Sequence, residues 1–210
     1  MSCRRKEENE RACLMRNAFL CSVICIVVSL SFAIAYGGEY KLPDTGQHTC
    51  YDADGHVIDC PAPGEPFYGQ DAQYQGAEPA YRDNGDGTVT DLNTGLMWMR
   101  ATADTDNDGN IDSGDELEWQ SACDYCDGLE YADYSDWRLP DRRELMSIVD
   151  YGRYYPAINP AFSCRSSYYW SSSTYVGSPD RAWDVGFDRG YVNNYYKGDD
   201  GYVRCVRGGQ

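Results

Sequence analysis

The chain has 210 residues, with 18 Lys and Arg against 34 Asp and Glu and a formal charge of −16, which suits one domain of ordinary size with appendages. That balance excludes nucleic acid and anionic membrane surfaces as partners, because both call for clustered basic residues. The 19 Tyr and 5 Trp exclude a disordered chain, and 10 Cys point away from a reducing compartment.

At the start of the chain Arg4, Arg5, Lys6, Arg11 and Arg16 precede an apolar run from Ala18 to Ala35. The run ends in Ala33-Ile34-Ala35, a small-x-small pattern, so residues 1–35 read as a signal peptide cleaved before Tyr36, with Met15 as a more compact start. The run is long enough to anchor in a bilayer, but the cleavage pattern argues for removal. The remaining chain has 13 basic and 31 acidic residues, a charge of −18, and keeps Cys50, Cys60, Cys123, Cys126, Cys164 and Cys205. An even count after export implies that all six form disulfides. The protein is therefore expected to be secreted, periplasmic or at the cell surface, with no integral membrane segment after cleavage.

Residues 36–80 are rich in Pro and Gly and carry no sustained periodicity. Cys50 and Cys60 bracket a segment centred on Asp54-Gly55, which reads as a small hairpin closed by a Cys50–Cys60 bridge. From Tyr81 a domain running to residue 210 is expected. Asp83–Gly87 is a turn, Thr88–Thr90 a strand, and Asn93-Thr94-Gly95 turns the chain into Leu96–Met99 as a hairpin partner.

The next segment, Asp104-x-Asp106-x-Asp108-Gly109-Asn110-Ile111-Asp112-x-x-Asp115, has the spacing of an EF-hand-type loop that closes with Asp. Carboxylates at the first, third and fifth positions converge on one cation, Gly109 permits the sharp turn, and Asn110 offers its carbonyl. Asp112 and Asp115 complete the set, so Asp104, Asp106, Asp108, Asn110, Asp112 and Asp115 are the expected ligands of a structural Ca²⁺. The other reading is an acidic solvated loop.

Trp119, Ala122, Cys123, Cys126 and Leu129 then fall at helical spacing. Asp141-x-x-Glu144 is a capping box opening a second helix, with Leu145, Ile148 and Val149 as its buried stripe. Beyond Tyr168 the period becomes two: Trp183, Val185 and Phe187 are expected on the inner sheet face, Asp184, Gly186 and Asp188 on the outer. Hairpin, two helices and then strands make an α+β protein.

Residues 165–202 use Tyr, Ser, Gly and Asn at 20 of 38 positions, the vocabulary of antibody paratopes. A binding face is expected there, made by Asp184, Asp188, Arg189, Tyr191, Asn193, Asn194, Tyr195, Tyr196, Asp199 and Asp200 and directed at an extracellular glycan or protein. A plain Tyr-rich, solvent-facing sheet is the competing reading. The only histidines are His48 and His56, too few for a triad or zinc site, so no catalytic residue is expected.

Five blocks in order carry a family resemblance: Asp86-Gly87-Thr88-Val89-Thr90-Asp91 with Thr94–Trp98; Asp136-Trp137-Arg138-Leu139-Pro140 with Glu144-Leu145; Tyr169–Ser173; Trp183-x-Val185-x-Phe187; and Val203–Arg207. Together, from about Tyr81 to Arg207, they resemble the Lcl C-terminal domain family. The resemblance implies a C-type lectin-like fold, shared with the formylglycine-generating sulfatase-modifying proteins, and extracellular binding in the manner of an adhesin. By the same analogy Cys123 or Cys126 pairs with Cys205, leaving Cys164 for the other. The C-terminal region also resembles the target proteins of diversity-generating retroelements, which display varied residues on that fold. Two further readings are an oxidase of the formylglycine-generating type, which needs free thiols, and an envelope component docked through residues 36–80.

Overall fold

The structure is a computed structural model and describes residues 43–208. The signal peptide read at 1–35 and its cleavage point before Tyr36 lie outside the described residues. Within them the chain forms β1 (Cys50–Tyr51), β2 (Val57–Ile58), β3 (Tyr81–Asp83), β4 (Thr88–Asp91), β5 (Met97–Met99) and β6 (Leu117–Glu118). Helices α1 (Trp119–Asp127) and α2 (Arg142–Ser147) follow, then β7 (Tyr168–Thr174), β8 (Arg181–Gly186), β9 (Tyr191–Tyr196), β10 (Asp200–Gly201) and β11 (Val206–Arg207). The strands assemble in the orders β1-β2, β10-β6, β11-β5-β4-β3 and β7-β8-β9, and every named pair is antiparallel. This is the α+β organisation expected from the sequence. Among the described residues no helix is long and apolar enough to cross a membrane.

Local chemistry explains the small elements. Asp52 folds the first hairpin by accepting from the amides of Asp54 and His56 at 3.0 and 2.8 Å, and the Cys50–Cys60 disulfide closes it. Asp91 is buried in the β4–β5 turn, where its carboxylate accepts from the Asn93 amide at 2.8 Å and the Thr94 hydroxyl at 2.7 Å. Strand β3, of which only Asp83 falls within the turn expected at Asp83–Gly87, pairs with β4 through Asp83↔Val89 and Tyr81↔Asp91. Gly87 sits at φ +91° where the Tyr131 ring docks, so a side chain there would meet that ring as well as backbone strain.

The capping box of α2 forms as its spacing demands: Asp141 accepts from the Glu144 amide and Glu144 from the Asp141 amide, both at 2.8 Å. Glu144 also receives a two-pronged ion pair from Arg138 at 2.7 and 2.6 Å. Burial raises the Glu144 pKa, but Arg138 and the Asp141 amide outweigh it and leave the carboxyl below its usual range. Leu145, Ile148 and Val149 are buried as a stripe. The Trp137–Glu144 block is thus a structural joint, with Trp137 buried and its indole donating to the Tyr131 carbonyl at 3.1 Å.

The core has two parts. One gathers Val89, Trp98, Leu145, Ile148, Tyr169, Val185, Phe187 and Val206; the other gathers Ala122, Cys126, Trp137, Trp170, Ala182, Val203 and Cys205. Successive residues of β7, Tyr169 and Trp170, belong to different parts, so the β7–β9 sheet is covered on both faces. This corrects the expected inner and outer faces of β8. Val185 and Phe187 are fully buried and Trp183 only partly, but Asp184 is buried too, at 1% exposure. The paired strands β6 and β10 cover that face at Trp170, whose indole bonds the Leu117 carbonyl and lies against Gly201; their two-residue lengths leave no periodic trace in the sequence.

Arg204 is fully buried. Among the described residues it has no carboxylate partner and is held by carbonyls, Nη1 donating to Met99 and Arg100 at 2.7 Å each and Nη2 to Ser163 at 2.8 Å. It thereby ties the segment between β10 and β11 to the end of β5 and to the loop before β7.

The expectation that all six cysteines are bridged is corrected. Cys126 pairs with Cys205, whereas among the described residues Cys123 and Cys164 have no disulfide partner. Helix geometry explains the choice on α1: Ala122 and Cys126, four residues apart, face the core, and Cys123 lies off that stripe, half-buried. Cys123 and Cys164 pack against different parts of the core. The Cys164 sulfur lies 3.3 Å from the Tyr169 hydroxyl.

Candidate ligand cleft and acidic loop

The strand register β7–β8 sets Tyr168 against Gly186 and Trp170 against Asp184, and the β8–β9 register adds Tyr191, Asn193 and Tyr195 to the same sheet face. On that face opens a cleft of about 310 Å³, bounded by Tyr168, Trp170, Asp184 and Tyr195 and rimmed by Glu116, Asp199 and Asp200. Its aromatic walls are fixed. Tyr168 stands between Tyr191 and Tyr195, with ring centroids 6.0 and 5.3 Å away. The Trp170 indole donates to the Leu117 carbonyl at 2.8 Å, and a side-chain carbon at Gly201 would come within 2.9 Å of the same indole nitrogen. Gly201 therefore lets β10 close over Trp170.

Asp184 is the chemical anomaly of the cleft. Both of its carboxylate oxygens are buried without a hydrogen-bond donor. Burial alone pushes its pKa up to about 7, against the modest lowering by its own backbone amide. The Tyr195 hydroxyl is pushed up as well, first by its contact with Tyr168, then by burial, and also by the charge of Asp184.

A wider depression of about 530 Å³ lies between α1 and α2, lined among others by Cys123, Arg138, Asp141 and Glu144. Three of its charged groups are already engaged, Arg138 with Glu144 and Asp141 with the α2 amide. Such a surface has little unmet bonding capacity. The smaller cleft holds the unmet groups and is the better candidate.

Of the ten residues read as a binding face, the structure brings Asp184, Tyr195, Asp199 and Asp200 into the cleft, with Tyr191 and Asn193 beside them on the same sheet face. Asn194 and Tyr196 belong to the opposite face, where Arg181 bonds Asn194 at 3.2 Å and stacks over the Tyr196 ring at 4.0 Å. Asp188 and Arg189 sit in the β8–β9 turn, 3.6 Å apart. The sequence reading missed Tyr168, Trp170 and Glu116. The first two alternate along β7 in phase with Asp184, a signal that needed the strand pairing to be read; Glu116 had none.

In the acidic loop Asp104, Asp106 and Asp108 converge, with one oxygen of each within 4.8 Å of the others. Gly109 has φ +86° and its amide donates to Asp104 at 3.0 Å. Asp115 is buried and splits its oxygens between the Thr105 amide at 2.7 Å and the Asp112 amide at 2.9 Å. Asp112 accepts from Gly114 at 2.8 Å, while the Asn110 amide donates to Asp108 at 2.7 Å. The second Asp104 oxygen is buried and unpartnered. The Asp108 amide lowers the Asp106 pKa, but burial and the charges of Asp108, Asp115 and Asp104 outweigh it, so the carboxyl is raised. These are the donors a hard divalent cation takes.

The model of the Lcl C-terminal domain matches residues 87–207, more than half of the chain, and the protein belongs to that family. No curated protein matches the chain.

Proposed function

We propose that this protein is an exported, adhesin-like ligand-binding module whose working site is the cleft between β7–β9 and the β6–β10 pair. The observation that carries this reading is Asp184: a buried carboxylate with no donor, facing a cleft with aromatic walls. Unmet buried polar groups are rare in folded proteins and costly, and convergent polar groups in an apolar cleft mark binding sites. The two disulfides fit an oxidising compartment, consistent with the signal peptide read at 1–35 and with a secreted, periplasmic or surface location. The mixture of sheets and helices is compatible with the C-type lectin-like fold that the resemblance implies, and the Tyr-rich strands β7–β9 would be its display surface. An extracellular glycan or protein is the expected ligand class.

In the same reading the acidic loop holds a structural Ca²⁺, with Asp104, Asp106 and Asp108 as its core ligands and Asn110, Asp112 and Asp115 closing the loop. The unpartnered Asp104 oxygen supports this, because a cation would satisfy it. Asp112 and Asp115 already cap the short turn at Ser113–Asp115, so they would serve the site mainly by shaping it.

The experiment is a glycan and protein array probed with the chain lacking residues 1–35, with and without Ca²⁺, beside Asp184→Asn and Tyr195→Leu variants. Binding by the parent that both substitutions weaken is the expected result. No ligand, or binding indifferent to both, overturns the reading. The oxidase alternative has one observation in its favour, the free Cys123 and Cys164. Against it, the two lie in different parts of the core, and burial followed by Asp124 pushes the Cys123 thiol up, away from the thiolate such chemistry needs.

A further inference from the structure

The cleft's own chemistry narrows the ligand, and the inference rests on the binding function just proposed. Its charged lining residues are all acidic, Asp184 at the base and Glu116, Asp199 and Asp200 at the rim, with no lysine or arginine among the residues that bound it. An anionic ligand is therefore excluded. A buried carboxylate that lacks donors is stabilised by a cation or a proton far more than by a neutral hydroxyl, since hydrogen bonds to charged donors are the stronger ones.

Two kinds of cation remain, and the walls choose between them. A divalent metal wants several oxygens converging on one point. Among the described residues Asp184 belongs to no group of three metal-ligating side chains within 4.8 Å of one another, whereas Asp104, Asp106 and Asp108 do. Tyr168, Trp170 and Tyr195 instead present ring surfaces, which attract an organic ammonium through their quadrupoles. At about 310 Å³ the cleft suits one cationic group rather than an extended chain.

We propose that the cleft binds an organic ammonium group, with Asp184 as its buried counter-ion, Tyr168, Trp170 and Tyr195 as its aromatic walls, and Glu116, Asp199 and Asp200 as an acidic rim that draws it in. The ammonium can be the primary amine of a lysine side chain or a quaternary headgroup; both are monocations that a carboxylate and ring faces attract.

The test titrates the chain lacking residues 1–35, by calorimetry and tryptophan fluorescence, with n-butylammonium, choline, their neutral counterparts n-butanol and 3,3-dimethyl-1-butanol, butyrate and Ca²⁺. Either ammonium probe should bind about tenfold or more tightly than its neutral counterpart, and Asp184→Asn should remove most of that margin. Preference for n-butylammonium identifies an amine source, preference for choline a quaternary one. The Asp184→Asn variant should keep the Ca²⁺ heat of the acidic loop, which shows that it is folded. The proposal is overturned if neither ammonium binds, if the neutral probes bind equally, or if Asp184→Asn abolishes a Ca²⁺ signal instead. An array ligand that needs Asp184 but is not displaced by either ammonium overturns this assignment while leaving the binding function standing.

Discussion

Asp184 stands directly opposite Trp170 in the β7–β8 register, and the indole that closes the cleft beside it donates elsewhere, to Leu117. The carboxylate is thus packed among rings and given nothing to bond. Its folded pKa of about 7 exceeds the ordinary aspartate value of 3.8, so the folded state binds the extra proton and is favoured by it. That contribution is complete below the unfolded pKa and is lost as pH rises through the folded one. The window runs from about pH 4 to about pH 7, and the shift corresponds to an upper bound of roughly 4 kcal/mol. Tyr168 and Tyr195 on the flanking strands and Glu116, Asp199 and Asp200 at the rim face the same carboxylate, but only Asp184 is both buried and unpartnered. Asp184→Asn should therefore gain on the parent between pH 4.5 and pH 8 in urea unfolding. Parallel pH profiles for the two proteins would show that Asp184 keeps an ordinary pKa.

Arg204 contrasts with it, a buried charge whose two terminal nitrogens are bonded while its Nε is left without a partner. Its guanidinium spans three carbonyls from two separate segments, a geometry that a lysine ammonium cannot reproduce. Arg204→Lys should cost about 3 kcal/mol or more, because it leaves buried carbonyls unsatisfied. Equal midpoints in urea for parent and variant would rule out this role.

What the sequence showed and hid divides by range of interaction. The α2 capping box, the Cys50–Cys60 hairpin and the Asn93-Thr94-Gly95 turn are local, and each formed where its spacing placed it. The amphipathic stripes were legible for the same reason. Asp184 was not. Alternation put it outside, and it is buried among Tyr168, Trp170 and Tyr195 beside the β10 strand, residues far apart in the chain that only the fold brings together. The flanking Ala182 and Gly186 carried a hint, since small residues on both sides of a charge suit a covered face. Four of the ten residues expected in the binding face lie elsewhere, two of them, Asn194 and Tyr196, because successive strand residues such as Asn193 and Asn194 lie on opposite faces.

The acidic loop predicts a Ca²⁺ effect separable from the cleft. Calorimetry should give one Ca²⁺ per chain, and Asp104→Asn or Asp106→Ala should remove the heat. At a hundredfold excess over the dissociation constant the ion should stabilise the parent by about 2.7 kcal/mol, read as a rise in Tm that a chelator reverses. A parent that produces no heat would leave the loop as solvated acid.

The cysteines give the last prediction. Removing residues 1–35 leaves six, and two bridges leave Cys123 and Cys164 reduced. A thiol count on the denatured, unreduced protein should return two, and peptide mapping should find Cys126 joined to Cys205. That bridge closes a loop with a sequence separation of 79, so its loss should cost more than loss of Cys50–Cys60, whose separation is 10. The loop-entropy relation puts the longer one near 4–5 kcal/mol. Cys126→Ala with Cys205→Ala should therefore lower the urea midpoint well below that of Cys50→Ala with Cys60→Ala. A count of zero thiols would mean that Cys123 and Cys164 bridge after all, which their packing against separate parts of the core argues against.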